Sequence, residues 1–445
     1  MKFTRKALIV LIAVTPVLAK AQNNADSVLR SASLSQCINY ALKNQPGVKQ
    51  SLIDEEIGER DIKSALAGWF PQIRGEGNFT SYLKQPTSIL NIGGTPQLFR
   101  QGLRNNSNFL LEADQSIFTN ELLLASRGAK YTRTQNRQNT ELNKINTVVD
   151  VSKAFYAILT SQEQIGILKE EIARLEKQLK DSYAQYQAGL VDKTDYKRAT
   201  ISLSNARSDL KRTNETIKGQ YSYLKQLMGY PTENPIELSF NNTNMESQVL
   251  LDTMQTINYK NRVEYKQLET QKQLQSLNIN YYKYGFLPNV SAFINYNWIY
   301  FDNKFSDIYN ESYPSSQTGL KLTIPIFTGT RRYQNYRREQ LVDKRLDLDI
   351  VDTKNAINTE YQNALAAYKS NLNEWKTQKE NVELSKDVYN TIKLQYNEGI
   401  KTYLEVTTAE TDLRSTELNY LNALYSLLSS KLDVQRALGN ITVNP

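Results

Sequence analysis

Histidine is absent from this chain of 445 residues, and cysteine occurs once, at Cys37. Without His, the commonest metal ligand and the usual general base are missing. A single cysteine excludes an intramolecular disulfide. The sequence also has no zinc-ligand spacing, no glycine-rich phosphate loop and no G-x-S-x-G elbow. Enzymatic activity is therefore disfavoured, and neither cofactor nor metal is expected. Beyond its N-terminus the chain has no apolar run of 18 or more residues, so no transmembrane helix is expected. Proline is scarce and unevenly placed, with none in 97–230 or 326–444.

What is present begins with an export signal. Lys2, Arg5 and Lys6 form a charged start, Ala7 to Val14 an apolar stretch, and Ala19-Lys20-Ala21 a small-residue cleavage site. Residues 1–21 thus read as a signal peptide, with Gln22 opening the mature chain. Removing the leader takes the net charge from +8 to +4. That modest excess does not argue for nucleic acid as a partner. Leu34-Ser35-Gln36-Cys37 has the look of a lipoprotein box. It follows a polar stretch rather than the apolar region, which argues against lipidation. An exported chain without a membrane helix leaves the periplasm, secretion or an outer-membrane β-barrel.

The strongest signal is that the chain contains itself twice. Tyr186-Gln-Ala-Gly189-Leu190-Val191 returns 210 residues later as Tyr396-Asn-Glu-Gly399-Ile400-Lys401. Leu227-Met228-Gly229 returns at the same offset as Ala437-Leu438-Gly439. Phe70-Pro71-Gln72-Ile73 matches Leu287-Pro288-Asn289-Val290 at an offset of 217, as Asn44-Gln45-Pro46 matches Asn261-Arg262-Val263. The change of offset predicts a longer loop in the first copy, around Pro86 to Leu103. A period this long is no solenoid unit. It reads as two subdomains, 22–235 and 236–445.

Within each copy the proline-free intervals are rich in Leu, Lys, Gln, Glu, Asn and Ala and read as long helices. Helices are expected over 36–67, 120–186, 193–229 and 330–396. At ~1.5 Å per residue each long helix reaches about 100 Å, and each short one about half that. Two short helices could therefore stack end to end beside one long one. A 3.5-residue apolar repeat runs along them: Val151, Phe155, Ile158, Ile165, Leu168, Ile172, Leu175 and Leu179 before the first turn, then Tyr196, Ala199, Leu203, Ala206, Leu210, Ile217, Leu224 and Met228. Adding 210 to the second set gives Val406, Ala409, Leu413, Thr416, Tyr420, Leu427, Val434 and Leu438. This is the pattern of antiparallel coiled-coil packing.

Two strands per copy are expected, near 72–84 and 105–117, and near 288–302 and 315–326. Val290, Ala292, Ile294, Tyr296, Trp298 and Tyr300 alternate onto one face, as do Leu320, Leu322 and Ile324, and Phe109, Leu111 and Ala113. Each strand is about as long as the ~9–11 residues that cross a bilayer. Soluble hairpins capping a helical bundle would show a similar pattern. Four membrane strands cannot close a barrel, so membrane strands would have to be pooled by an oligomer, twelve in a trimer or eight in a dimer.

These features together resemble the TolC-like outer membrane efflux protein family. The carriers are the duplicated helix-strand-strand-helix-helix plan, Phe70-Pro71 and Leu287-Pro288 opening the hairpins, Pro325-Ile326-Phe327-Thr328-Gly329 closing the second, and the two tyrosine-glycine turns. No one motif is specific; their order, spacing and duplication over essentially the whole mature chain are. The resemblance implies an α+β membrane protein, a homotrimer with a twelve-stranded β-barrel in outer-membrane lipid. A long α-helical coiled-coil tunnel would extend from it into the periplasm of a Gram-negative bacterium. The implied function is a passive channel component of a tripartite efflux or type I secretion system, docked to a periplasmic membrane-fusion adaptor and an inner-membrane pump. A periplasmic coiled-coil scaffold or adaptor without a pore is the competing reading.

The resemblance also implies site residues. The turns 187–193 and 397–403 would be periplasmic tips, with Gly189, Leu190, Gly399 and Ile400 contacting the adaptor. Thr194, Asp195, Tyr396, Lys401 and Glu405 match the periplasmic gate. Relatives often carry Arg at the Lys401 position, bonded back to the Thr194 and Asp195 positions. Lysine lacks the bidentate fork, so a weaker clamp is expected. Glu405 matches the first of two acids ringing the constriction, while Thr408 departs from the second. Three Glu405 carboxylates about one axis would favour cations. A solvated helix-face carboxylate is the plainer alternative.

Overall fold

Long proline-free segments give long helices here because nothing interrupts their hydrogen-bond ladder. The computed structural model describes residues 31–239, 246 and 249–443. The signal peptide expected over residues 1–21 lies outside the described residues. In chain order come α1 (Leu34–Asn44), α2 (Pro46–Leu66), β1 (Gln72–Ser81), β2 (Thr87–Ile92), β3 (Thr95–Arg100), β4 (Asn105–Phe118), α3 (Asn120–Gln187) and α4 (Lys193–Met228). The second half continues with α5 (Val263–Lys283), β5 (Asn289–Asp302), β6 (Ser315–Thr323), α6 (Arg331–Asn397) and α7 (Tyr403–Leu438). α3 has 68 residues and α6 has 67, so each is a rod about 100 Å long.

The helix expected over 36–67 is two helices. Gln45 ends α1 in an extended conformation, and Pro46 occupies the first turn of α2. Proline has no amide to donate and fits only that first turn, so the chain breaks before it. The Gln45 side chain then accepts from the Val48 amide at 2.7 Å and caps the new helix.

The helices lie side by side as a wall. α2 and α4 flank one side of α3; α5 and α7 lie between α3 and α6. The short helices stack end to end. Gly229, just past α4, sits with φ 65 against the Asn44 carbonyl before α2; a Cβ on it would be 2.5 Å from that oxygen. Gly439, just past α7, has φ 72, and a Cβ there would lie 2.9 Å from Asn261, before α5. Both glycines are left-handed helix ends, and both junctions admit no side chain.

Much of the core sits mid-rod. Phe155, Ile158 and Leu159 of α3, Tyr368 of α6 and Leu424 and Leu427 of α7 are buried there with Cys37 and Tyr40 of α1. Burial pushes the Cys37 thiol up to about 12, so it remains an inert thiol. Nearer the tips the seams narrow to Leu175, Leu203 and Ala206 between α3 and α4, and Tyr389, Val406, Ala409 and Leu413 between α6 and α7.

One seam escaped the sequence reading. Tyr361, Tyr368, Trp375, Val382, Tyr389 and Tyr396 recur every seventh residue along α6. Their counterparts in α3 are Val151, Ile158, Ile165, Ile172, Leu179 and Tyr186. The phenols hold the segment that joins the two repeats. Tyr368 donates to the Val249 carbonyl and accepts from the Leu251 amide, both at 2.9 Å, and Tyr361 donates to the Gln255 carbonyl at 2.7 Å.

Four strands form one antiparallel sheet in the order β1-β4-β5-β6. The register puts Phe109 opposite Trp298, Leu111 opposite Tyr296, Ala113 opposite Ile294, and Ala292 opposite Leu320. The apolar faces therefore merge into one. Phe109 also covers Gly75 and Gly77 of β1. On the other face, Arg74 pairs with Glu112 at 2.8 Å. The longer first loop carries the additional hairpin β2-β3, turning at Gly93 and Gly94 with φ 63 and 87. Its alternation is short and mixed, which hid it in the sequence.

The glycine junctions give a test. Gly399→Ala should cost about 1–2 kcal/mol, the left-handed penalty alone, since a Cβ there meets nothing within 4 Å. Gly229→Ala should cost clearly more, because the Asn44 backbone must also move. Equal losses in denaturant unfolding would contradict the tight junction.

Candidate gate at the helical tips

Each long helix ends where a glycine can take the left-handed conformation. Gly189 and Gly399 both have φ 74. The Leu190 amide donates to the Gln185 carbonyl at 3.0 Å, and the Ile400 amide to the Gln395 carbonyl at 2.8 Å. These closures are Schellman motifs. They leave Leu190 and Ile400 75% and 70% exposed at the ends of the rods.

The return helices start differently. α4 is capped by Asp192, whose carboxylate accepts from the Thr194 amide at 3.0 Å. α7 is capped by Thr402 in a capping box: Glu405 accepts from the Thr402 amide at 2.9 Å, and Thr402 Oγ1 accepts from the Glu405 amide at 3.4 Å. Lys401 Nζ donates to Glu405 Oε1 at 2.6 Å. These donors, the Lys401 ammonium first, lower the Glu405 carboxyl to about 2. Glu405 is thus both a helix cap and half of an ion pair.

The expected site residues fall into two groups. Tyr396 and Asp195 come together: Tyr396 Oη donates to Gln185 Oε1 at 3.2 Å, and its phenol is raised by burial and then by the charges of Asp195 and Asp181. Lys401 does not join them within the chain, being paired with Glu405 instead. Thr194 stands exposed on the first turn of α4. The sequence reading missed Tyr403, which stacks edge-on to Tyr396 at 6.2 Å and is pushed up to about 12, chiefly by burial. It named Tyr186 only as part of the repeated turn and missed Tyr183; both pack against Tyr196. Tyrosines recurring about one turn from each glycine were the available signal.

Above the tips, the two repeats are joined by buried charge. Glu410 of α7 is 3% exposed and accepts from Arg174 at 3.3 Å and Gln178 at 3.0 Å, both on α3. Arg414, one turn on, reaches Glu171 of α3 and Asp209 of α4. Burial raises the Glu171 carboxyl against the opposing pull of Arg414. Charges removed from water this far require such partners, and deleting one partner of a buried pair usually costs about 3–5 kcal/mol. The counterparts of Glu410 and Arg414 in the first repeat are Thr200 and Ser204, so this join exists at one seam only.

Comparison with known proteins places this geometry. Over 441 residues the chain is 20% identical to the outer membrane protein TolC of Vibrio cholerae serotype O1, covering 95% of this chain and 94% of that protein. It is 20% identical to the solvent efflux pump outer membrane protein SrpC of Pseudomonas putida, covering 95% and 88%. The solved structure of CusC superposes with a TM-score of 0.74 at 17% identity, over 92% of this chain and 93% of the other. The Campylobacter jejuni CmeC outer membrane channel gives 0.72 at 16% identity, over 92% and 85%. Both confirm the α+β tunnel fold. The sequence model of the family described as outer membrane efflux protein matches residues 37–230 and 261–440, which is most of the chain. This protein belongs to the outer membrane efflux protein family.

Proposed function

We propose that this protein is the outer-membrane conduit of a tripartite efflux system. Three copies would pool their strands into one barrel and their helices into one tunnel. The observation that carries the reading is the sheet. It has one continuous apolar face, and a second face that is polar apart from Leu110, Phe293, Ile299 and Phe301. Among the described residues, β1 pairs only with β4 and β6 only with β5. Ten residues of β1 span about 33 Å, or about 23 Å when tilted at ~45°, close to the ~25 Å apolar band of outer-membrane barrels. Open edges are not tolerated in lipid, and β6 of one copy has the right direction to pair with β1 of the next. Exposed aromatics bound the sheet on both ends, Phe70, Phe286 and Phe327 toward the helices and Phe305, Tyr309 and Tyr313 toward the exterior.

Gly189, Leu190, Gly399 and Ile400 would meet a periplasmic membrane-fusion adaptor, which links the channel to an inner-membrane pump. Thr194, Asp195, Tyr396, Lys401 and Glu405 would form the periplasmic gate. Closure by Lys401 acting on Thr194 and Asp195 would require it to reach a neighbouring copy and to leave Glu405.

Expression with its own leader should place the protein in the outer membrane as a detergent-resistant trimer. Recovery as a soluble monomer would sink the conduit and favour the scaffold reading. In planar bilayers, Tyr396→Phe with Lys401→Ala should raise single-channel conductance; unchanged conductance removes these residues from the gate.

Ion preference reads the Lys401-Glu405 pair. Glu405→Gln should lower cation preference and Lys401→Ala should raise it, because each leaves the partner's charge uncompensated. Glu405 has a depressed folded value, so its ionised interactions are complete above the usual 4.5 and are lost as pH falls toward 2. The shift in reversal potential from Glu405→Gln should therefore persist at pH 4.5, whereas that from Lys401→Ala should shrink there, because the ammonium that chiefly lowers the Glu405 carboxyl is gone. Loss of the Glu405→Gln shift by that pH would contradict the paired carboxylate.

A further inference from the structure

The start of α6 breaks a rule that its duplicate obeys. Helix N-termini favour acidic side chains and disfavour basic ones. α3 follows this: Thr119 caps the Leu122 amide at 3.2 Å, and Glu121 lies in the first turn. α6 has no acid in its first turn, and Thr330 precedes it at φ 65 without a side-chain cap. Instead Arg331, Arg332, Arg337 and Arg338 open the helix, with Tyr333 and Tyr336 between them. Arg338 is neutralised by Glu339 at 2.6 Å. Among the described residues, Arg331, Arg332 and Arg337 have no ion-pair partner.

Immediately before these arginines the chain is apolar and uncovered. Ile326 is 90% exposed and Phe327 85% exposed, in the short connection between β6 and α6. Phe70 and Phe286 stand exposed at the helix-facing ends of the neighbouring strands. Arg331 and Arg332 also line a cavity of about 630 Å³ with Asn335, Tyr281 and Asn289; Glu121 is its one carboxylate. Apolar anchors followed within a few residues by unpaired guanidinium groups mark the level where hydrocarbon gives way to headgroups. From Arg331 to Arg338 the helix rises about 10 Å, comparable with the headgroup layer plus the reach of an arginine.

We propose that this apolar-cationic segment binds the headgroups of anionic phospholipids in the periplasm-facing leaflet, through the long side chains of Arg331, Arg332 and Arg337, which fan out around the first two turns of α6. The proposal rests on the reading of the sheet as membrane-borne. The lipid phosphate supplies the negative charge that the start of α6 lacks, and Ile326 and Phe327 enter the acyl region beside it. The first repeat has Glu121 at the matching level and no such cluster, so the site occurs once per chain.

The test is thermal unfolding of the full-length purified protein in neutral detergent, titrated with phosphatidylglycerol or phosphatidylcholine. Phosphatidylglycerol should raise the Tm and phosphatidylcholine should not. In the triple variant Arg331→Gln, Arg332→Gln, Arg337→Gln, the apparent affinity for phosphatidylglycerol should fall on the order of a hundredfold, from roughly 1 kcal/mol per basic residue at an anionic surface. Lys369→Gln with Lys376→Gln, far down α6, should respond as the unmodified protein does. Replacing the three arginines by lysine should keep most of the response, and this variant decides the matter if the glutamine variant does not fold. An undiminished response in the glutamine variant overturns the proposal. So does an equal Tm rise from inorganic phosphate, or a response to lipopolysaccharide alone. Failure of the membrane reading would show separately, as solubility without detergent before any lipid is added.

Discussion

A β-sheet in hydrocarbon can leave no backbone edge unpaired, and this chain builds a sheet with two edges. Much of the architecture follows from that constraint. A single repeat offers two strands, and duplication raises this to four, still short of the eight that the smallest bacterial barrels need. Further copies of the chain must supply the rest on the proposed function. The same arithmetic governs the helices. Each repeat contributes one long rod and a stacked pair of short ones, and the wall they form also has two edges, at α2-α4 and at α6. On the proposed function the edge strands β1 and β6, which adjoin α2 and α6 in the chain, would close together with the wall.

Duplication supplies the symmetry, and divergence supplies the working parts. At the glycine junctions the copies agree closely, Gly229 on Asn44 and Gly439 on Asn261, because a rod is straight only if both joints are alike. They part company where something must be held or moved. The α6 seam exchanges the branched residues of α3 for tyrosines, whose hydroxyls fasten the connecting segment across the wall. The seam between repeats is joined by Glu410, Arg414 and their partners, while the matching positions of the first copy carry neutral Thr200 and Ser204. At the tips, Asp192 caps one return helix and the Thr402-Glu405 box caps the other. The second tip has Lys401 just before its cap, where the first has Val191 before its cap and Lys193 after it.

Much of the fold was legible in the sequence, for identifiable reasons. Heptad spacing and the absence of proline mark long helices because local geometry alone decides them. Glycines at 189 and 399 mark the tips because few other residues adopt that conformation cheaply. The two-helix break at Gln45-Pro46 was equally local and could have been read from Pro46. The β2-β3 hairpin was not legible, since its alternation is weak and it packs against little. Among the candidate site residues, Tyr396, Asp195 and the tip positions were named through the resemblance. Gln185 and the buried carboxylates were not, because each lies on another helix at a distance in sequence; Tyr403, seven residues after Tyr396, was local and could have been read.

Sequence by itself determined the duplication, which shows as direct self-similarity, and the helix lengths and alternating strands, which depend on neighbours a few residues apart. Tertiary structure decided which charges are compensated. The Lys401-Glu405 pair is the exception, since its members lie four residues apart and the turn at Thr402 alone folds one onto the other. Arg174 and Glu410 look like solvated helix-face residues until the two repeats pack and remove them from water. Pairing of charges depends on distances across helices, and only the folded wall sets those distances.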